Sequence, residues 1–323
     1  MKLKALAVTV AAALALCGCN NSTTKTNGKD AFEDLDSIAS INSVSEITID
    51  IDMDIPGKMG LQGALSVKGN DTCAQLELTD VNLKVYSSKS NSSPFEVPNL
   101  TALIDTTSKE LFLSKDSMKG LMKTLGIDVE VKCDANWISL DPEDLGLEID
   151  LAAVSDMSSM SKYLQEVAMP KLKEILDPVK TDILSADKHA IVVNSSSAAT
   201  IVDALLAMFE DGSAQELYDK AVDMGVTTSE QTMVDVESVL EDAKDILADM
   251  PDTDSITIKP TVVGADGSRT ATLAVDATVT SSKVVVTLTL KEGTSDLSVP
   301  TNTMTYEDYQ AALREAYQAV EGA

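Results

Sequence analysis

Four cysteines and one histidine are the side chains best suited to covalent or proton-transfer chemistry near neutral pH. Cys17 and Cys19 stand two apart at the end of an apolar run, in Leu16-Cys17-Gly18-Cys19. Cys73 and Cys133 stand alone, 60 residues apart. A thiolate accepts alkyl or acyl groups, and two thiols that meet can oxidise to a bridge. His189 lies beside Ala190, Ile191 and Val192, next to a strand-like run. No HExxH and no GxSxG accompanies it, so neither a zinc-protease helix nor a nucleophile elbow is written here. Serines and aspartates are plentiful enough for a triad to assemble through space. A lone histidine beside a strand is more often structural, and no catalytic residue is expected.

The carboxylates form two groups. Asp50, Asp52 and Asp54 alternate with apolar residues. An EF-hand loop begins with the same DxDxD, but its sixth position needs glycine and its twelfth glutamate. Here those positions are Ile55 and Leu61, so the loop fails. On a strand the three acids line one face about 7 Å apart, a solvated face rather than a metal site. Asp141, Glu143 and Asp144 make an acidic loop after a strand. Paired carboxylates could serve a glycosidase. Sugar sites usually offer aromatic platforms, and aromatics are only 3% of this chain. Trp137, the single tryptophan, sits in an alternating run and is assigned to packing. No GxGxxG or GxxxxGK[ST] is present, and no cofactor or metal is expected.

The first residues give the strongest signal. Lys2 and Lys4 precede the apolar run 5–16, and Gly18 follows it just before Cys19. That order is a positive n-region, a short h-region and a small-residue cleavage site. The run is too short for a bilayer span, which needs about 20 apolar residues. A cysteine directly after the cut makes residues 1–18 resemble a bacterial lipoprotein signal. Cys17 is a less usual filler of that box. The resemblance implies that Cys19 receives a diacylglyceryl group on sulfur and becomes the new N-terminus. It places the protein on the cell membrane, lipid-anchored, on the extracytoplasmic side.

Composition fits that placement. The net charge is −27, and losing Lys2 and Lys4 makes it −29. Such a chain repels nucleic acid and anionic headgroups, so lipid at Cys19 must hold it to the membrane. Two acyl chains anchor stably where one does not. Hydrophobic residues are 44% of the chain, enough for a sizeable core. Cys73 and Cys133 remain as an even pair in an exported chain. They are either a bridge, worth roughly 4 kcal/mol for a loop of about 60 residues, or two buried thiols.

The elements that must position these residues follow in order. Residues 19–45 read as a flexible tether, polar through 20–30, with a short helix at 31–41. Strands are expected at 47–55, where apolar and polar residues alternate without fault, and at 61–67 and 73–86. The last slips phase near Thr79-Asp80, which predicts a bulge. A hairpin follows at 100–105 and 110–113. Then come a helix at 117–125 ending at Gly126, and strands at 129–131 and 136–140. The middle turns helical: 157–184, interrupted by Pro170 and Pro178, then 197–210, 214–224 and 229–250, with a strand at 189–193. Strands return as a meander at 255–263, 269–280 and 283–291, turning at Asp266-Gly267 and Ser281-Ser282. A helix at 305–320, capped by Thr305, closes the chain.

Strands, helices, then strands predict an α+β fold. The N- and C-terminal strands would share one curved antiparallel sheet, with the helical middle covering its apolar face. The organisation is 46–300 as the body and 301–323 as a C-terminal helix. Element order together with the lipobox is similar to the LolA/LolB and LppX/LprG-type lipid or lipoprotein carriers. That resemblance implies an apolar ligand held between sheet and helices, and it names no residues. Seven of the 13 methionines fall between 157 and 250, where they suit either ordinary core or an adaptable apolar cavity. The expected function is a non-enzymatic lipoprotein that binds or carries a lipid or other apolar ligand. The alternative is a structural or interaction lipoprotein with a filled core.

Overall fold

A computed structural model describes residues 30–41, 43–70, 72–85, 95–108, 110–141, 163, 166–167, 169–224, 240–241, 244, 251, 254–279 and 282–321. In chain order the first elements are α1 (Ala31–Ala39), β1 (Val44–Ile55), β2 (Met59–Gly69), β3 (Cys73–Val85) and β4 (Phe95–Glu96). Next come β5 (Leu100–Asp105), β6 (Leu111–Ser114), α2 (Lys115–Thr124) and β7 (Trp137–Leu140). The middle holds α3 (Met169–Leu176), a 3-10 turn (Asp177–Val179), α4 (Lys180–Ile183), β8 (Ile191–Val193), α5 (Ser195–Glu210) and α6 (Ser213–Asp223). The last stretch gives β9 (Ser255–Val263), β10 (Thr270–Val279), β11 (Ser282–Glu292), β12 (Thr303–Thr305) and α7 (Tyr306–Glu321). The fold is α+β, as the alternation of patterns predicts. The chain forms two compact units, Met1–Pro56 with Asp156–Gly293, and Gly57–Ser155 with Thr294–Ala323.

In the first unit the strands lie in the order β1-β11-β10-β9-β8, all antiparallel. A strand from the front of the chain thus pairs with the meander from its end, and the helical middle covers their apolar face. Period-two alternation fixes the register, because a one-residue slip would turn every apolar side chain outward. Apolar rows cross the sheet: Ile49 opposes Leu288, which opposes Leu273, which opposes Pro260. A second row runs Ile51, Val286, Val275, Ile258 and Ile191. Onto this face pack Phe32, Leu35 and Ile38 of α1, Leu176, Val179, Ile183 and Ala198. Pro170 falls at the second residue of α3 and Pro178 in the 3-10 turn, where a missing N–H costs least.

Both ends of α1 are fixed. Asp30 caps it, accepting from the N–H groups of Phe32 and Glu33 at 3.0 Å each. At the other end Arg269 donates to Ser40 Oγ at 2.5 Å and to the Ser40 carbonyl at 2.7 Å. The same guanidinium pairs with Glu292, whose side chain is 4% exposed. Arg269 holds that carboxyl well below the usual range, at about 2.

In the second unit the order is β2-β3-β5-β6-β7-β12, with β4 also on β3. Pairing is antiparallel except that β12 runs parallel to β7. The expected phase slip in β3 is a bulge: the register shifts between Gln62 and Ala64, and Asp80 has φ 55°. Gly63 is needed there, because a Cβ would sit 2.7 Å from Val81 Cγ2. One face is covered by α2 and α7, with Tyr309 packed among Ile104, Met118 and Ile138. The helix end at Gly126 is also as expected, with φ 82°.

Three details differ from expectation. Residues 129–131 form no strand; Val131 is buried by its side chain alone, without a ladder partner. Residues 95–96 and 303–305 do pair as β4 and β12, too short to show a period in sequence. Of the helix expected at 229–250 only residues 240–241 and 244 are described, and they are helical. Residues 19–29 of the tether expected at 19–45 lie outside the described residues, as do Cys17 and Cys19, and the short helix expected within it is α1, packed in the core.

Candidate functional site

The second unit presents an apolar sheet face that is buried at one end and half-open at the other. A row of paired residues crosses six strands: Val67, Leu76, Ala102, Leu113, Ile138 and Met304. Ile138 is 1% exposed beneath the helices, whereas Val67 and Leu76 are half-buried. Leu65, Leu78 and Leu100 form the next row, and Leu61, Leu83 and Phe95 the one beyond. Leu65 is 37% exposed and Phe95 54%. Helices α2 and α7 cover the β6–β7 end through Met118, Met122, Tyr309 and Leu313. Burial pushes the Tyr309 phenol up, so its hydroxyl stays neutral there.

The face offers contact area and little chemistry. A surface of leucine and valine lowers free energy in proportion to the apolar area taken from water, about 25 cal/mol per Å². It selects for apolar shape. At the β3 bulge Asp80 and Val81 lie opposite the single residue Gly63, and Val81 leans over the glycine.

The structure does not bring Cys73 and Cys133 together; both are free thiols. Their separation follows from strand register. Cys73 opposes Asp105, and on that side Leu103 and Phe112 pack against it. Cys133 packs with Ile138, Leu140 and Tyr309, which project from the other side. A sheet therefore lies between the two sulfurs. Of the two alternatives for this pair, the thiols are what the structure contains. Burial pushes the Cys73 thiol up. Trp137 is half-buried against Cys73, Leu103 and Phe112, a packing position as expected.

His189 is exposed, and its backbone N–H donates to Asp187 Oδ1 at 3.1 Å. Ser185 Oγ reaches the same oxygen directly, at 2.6 Å. A hydrolytic relay needs the imidazole between hydroxyl and carboxylate; here the Ser185 hydroxyl bonds the Asp187 carboxylate itself. The hydrogen bond from Ser185 is what chiefly holds the Asp187 carboxyl low. Asp50, Asp52 and Asp54 are exposed on the wet side of β1, opposite Thr287, Val285 and Lys283. Among the described residues no group of three or more metal-ligating side chains converges. Asp141 is exposed, while Glu143 and Asp144 lie outside the described residues.

No protein family, curated protein or solved structure matches the chain. Among the described residues no helix is long and apolar enough to cross a membrane.

Proposed function

We propose that this chain is a lipoprotein anchored through Cys19 on the extracytoplasmic face of the membrane, and that its second unit binds or carries an apolar ligand. The half-open apolar face of β2, β3 and β5 carries this reading. Leu61, Leu65, Val67, Leu76, Leu78 and Leu83 stay partly in water, on a face whose row Ala74, Ile104, Leu111 and Leu140 is buried. An acyl chain laid along these rows would take that surface out of water. Alternation, and not polar recognition, would set the ligand class: long, apolar and weakly directional. No enzymatic step belongs to this reading, and no nucleic-acid partner suits a charge of −27. A packed interaction lipoprotein is the second reading, favoured by the filled rows of the first unit, where Leu273, Val275 and Ala277 are all 3% exposed or less.

Native mass spectrometry of residues 20–323, with parallel lipid extraction, tests the proposal. A co-purifying lipid that leaves on denaturation supports it and gives the ligand class. A clean apo mass, with no uptake of added fatty acid or phospholipid, overturns it. Mass spectrometry of the full chain made in a bacterial host tests the anchor: the diacylglyceryl increment must map to Cys19.

A further inference from the structure

The apolar patch on the other side of the second unit's sheet is covered by chain with no secondary structure of its own. Residues 294–300 run across it in extended form, between β11 and β12. Leu297 and Val299, two apart, seat together with Trp137 against Cys73, Leu103 and Phe112. Thr294, Asp296 and Ser298 point to solvent between them. Among the described residues the backbone of 294–300 makes two hydrogen bonds, both to one side chain. Asn70 Nδ2 donates to the carbonyls of Ser295 at 3.0 Å and Leu297 at 2.8 Å. The far side of the same amide is occupied locally. Asn70 Oδ1 accepts from Thr72 N and Oγ1, both at 2.9 Å, and from Cys73 N at 3.0 Å. Asn70 therefore joins the β2–β3 turn to the overlying chain.

The ends are held more firmly than the middle. Gly293, at φ 142°, begins the crossing and donates to Ser43 O at 3.1 Å. Asn302 ends it, its carbonyl accepting from Asn136 N and Trp137 N and its amide donating to Asp134 O. A segment tied at both ends, with two backbone bonds and two half-buried side chains between, belongs at the low end of local opening free energies.

We propose that residues 294–300 are a releasable strap, latched by Asn70, whose opening uncovers the Cys73–Leu103–Phe112–Trp137 patch while the rest of the second unit stays folded. Cys73 is 0% exposed and lies under the strap, so its thiol reports opening.

The test is native-state labelling of the full chain with N-ethylmaleimide, reading the Cys73 peptide by mass spectrometry. Asn70→Asp is the discriminating variant. It keeps the oxygen that serves the β2–β3 turn, removes the NH₂ that holds the strap, and sets a carboxylate oxygen against two carbonyls. Cys73 should label on the order of tenfold faster in this variant. The rate should depend on denaturant far less steeply than global unfolding does, and acrylamide quenching of Trp137 should rise with it. Cys73 labelling no faster than in the unaltered chain overturns the proposal. So does labelling that tracks global unfolding in both proteins. If Asn70→Asp does not fold, Leu297→Ala loosens the strap without touching the turn. The same acceleration is expected there, and its absence is equally decisive.

Discussion

Arg269 grips Glu292 through two parallel hydrogen bonds of 2.7 Å, Nε to Oε2 and Nη2 to Oε1. The pair joins the start of β10 to the end of β11, and the guanidinium's remaining donors close the last turn of α1 at Ser40. One side chain thereby ties helix to sheet.

That pair makes the first unit sensitive to acid. The Glu292 carboxyl is held at about 2 against an ordinary value of 4.5. A carboxyl depressed by folding stabilises the fold above its unfolded value, and the gain is lost as pH falls through 4.5 toward 2. The thermal midpoint should decline across that window. Glu292→Gln should flatten the part of the decline due to this group and cost about 3 kcal/mol at neutral pH, because the buried Arg269 guanidinium loses the carboxylate charge that offsets its own. Thermal melts from pH 6 to pH 2 on both proteins check this. An unchanged slope in the variant would refute the assignment.

Gly63 should not tolerate a side chain. In Gly63→Ala the new methyl would stand 2.7 Å from Val81 Cγ2 and 3.2 Å from Val81 Cα. The second contact is backbone and cannot swing away. Urea unfolding should show a loss of about 1–3 kcal/mol. A neutral result would mean that the bulge relaxes freely.

If the open apolar face holds a ligand, Leu65 is the place to disturb it without harming the fold. Its side chain is 37% exposed, so Leu65→Glu should cost about 1 kcal/mol or less in stability. Uptake of a fluorescent fatty acid should nevertheless fall sharply, because a charge would lie on the apolar rows. Unaltered uptake would remove β2 from the proposed site.

Reducing agent should leave the melting temperature where it is. Cys73 and Cys133 are free thiols on opposite sides of a sheet. A bridge between them would contribute roughly 4 kcal/mol that reduction would abolish. Counting thiols after denaturation without reductant gives a second check.

Strong periodicity was legible; sparse contact was not. The run 47–55 alternates without fault, and it lies within β1 with its acids outward. The slip at Thr79-Asp80 is a bulge, as a break in a period-two pattern predicts. Asn194 completes a capping box with Ser197 at the start of α5, extending a helix expected from 197. β4 and β12 escaped because two or three residues carry no period. Residues 129–131 misled because Val129 and Val131 alternate like a strand, yet backbone pairing depends on a neighbour that no local pattern records. The open face of β2 and β3 was half legible. Its leucines were visible in the alternation, but how far helices cover them depends on α2 and α7, the latter more than 200 residues later in the chain. Asn70 sits in the short turn between β2 and β3, and its second role lies in carbonyls 225 and 227 residues away, which no local pattern records.

The burial of α1 has a mechanical consequence. Tension arriving along the chain from before Asp30 does not meet a loose end. It meets a helix whose Ala31 N–H is held by the Lys188 carbonyl at 2.7 Å, whose Phe32, Leu35 and Ile38 are wedged in the core, and whose far end is clasped by Arg269. Beyond it lies β1, laddered to β11 along ten residue pairs. A pull on this protein must extract a helix before it can begin to unzip a strand, so the unit gripped by its own first element should yield at a force set by Arg269 and the apolar wedge rather than by its weakest loop.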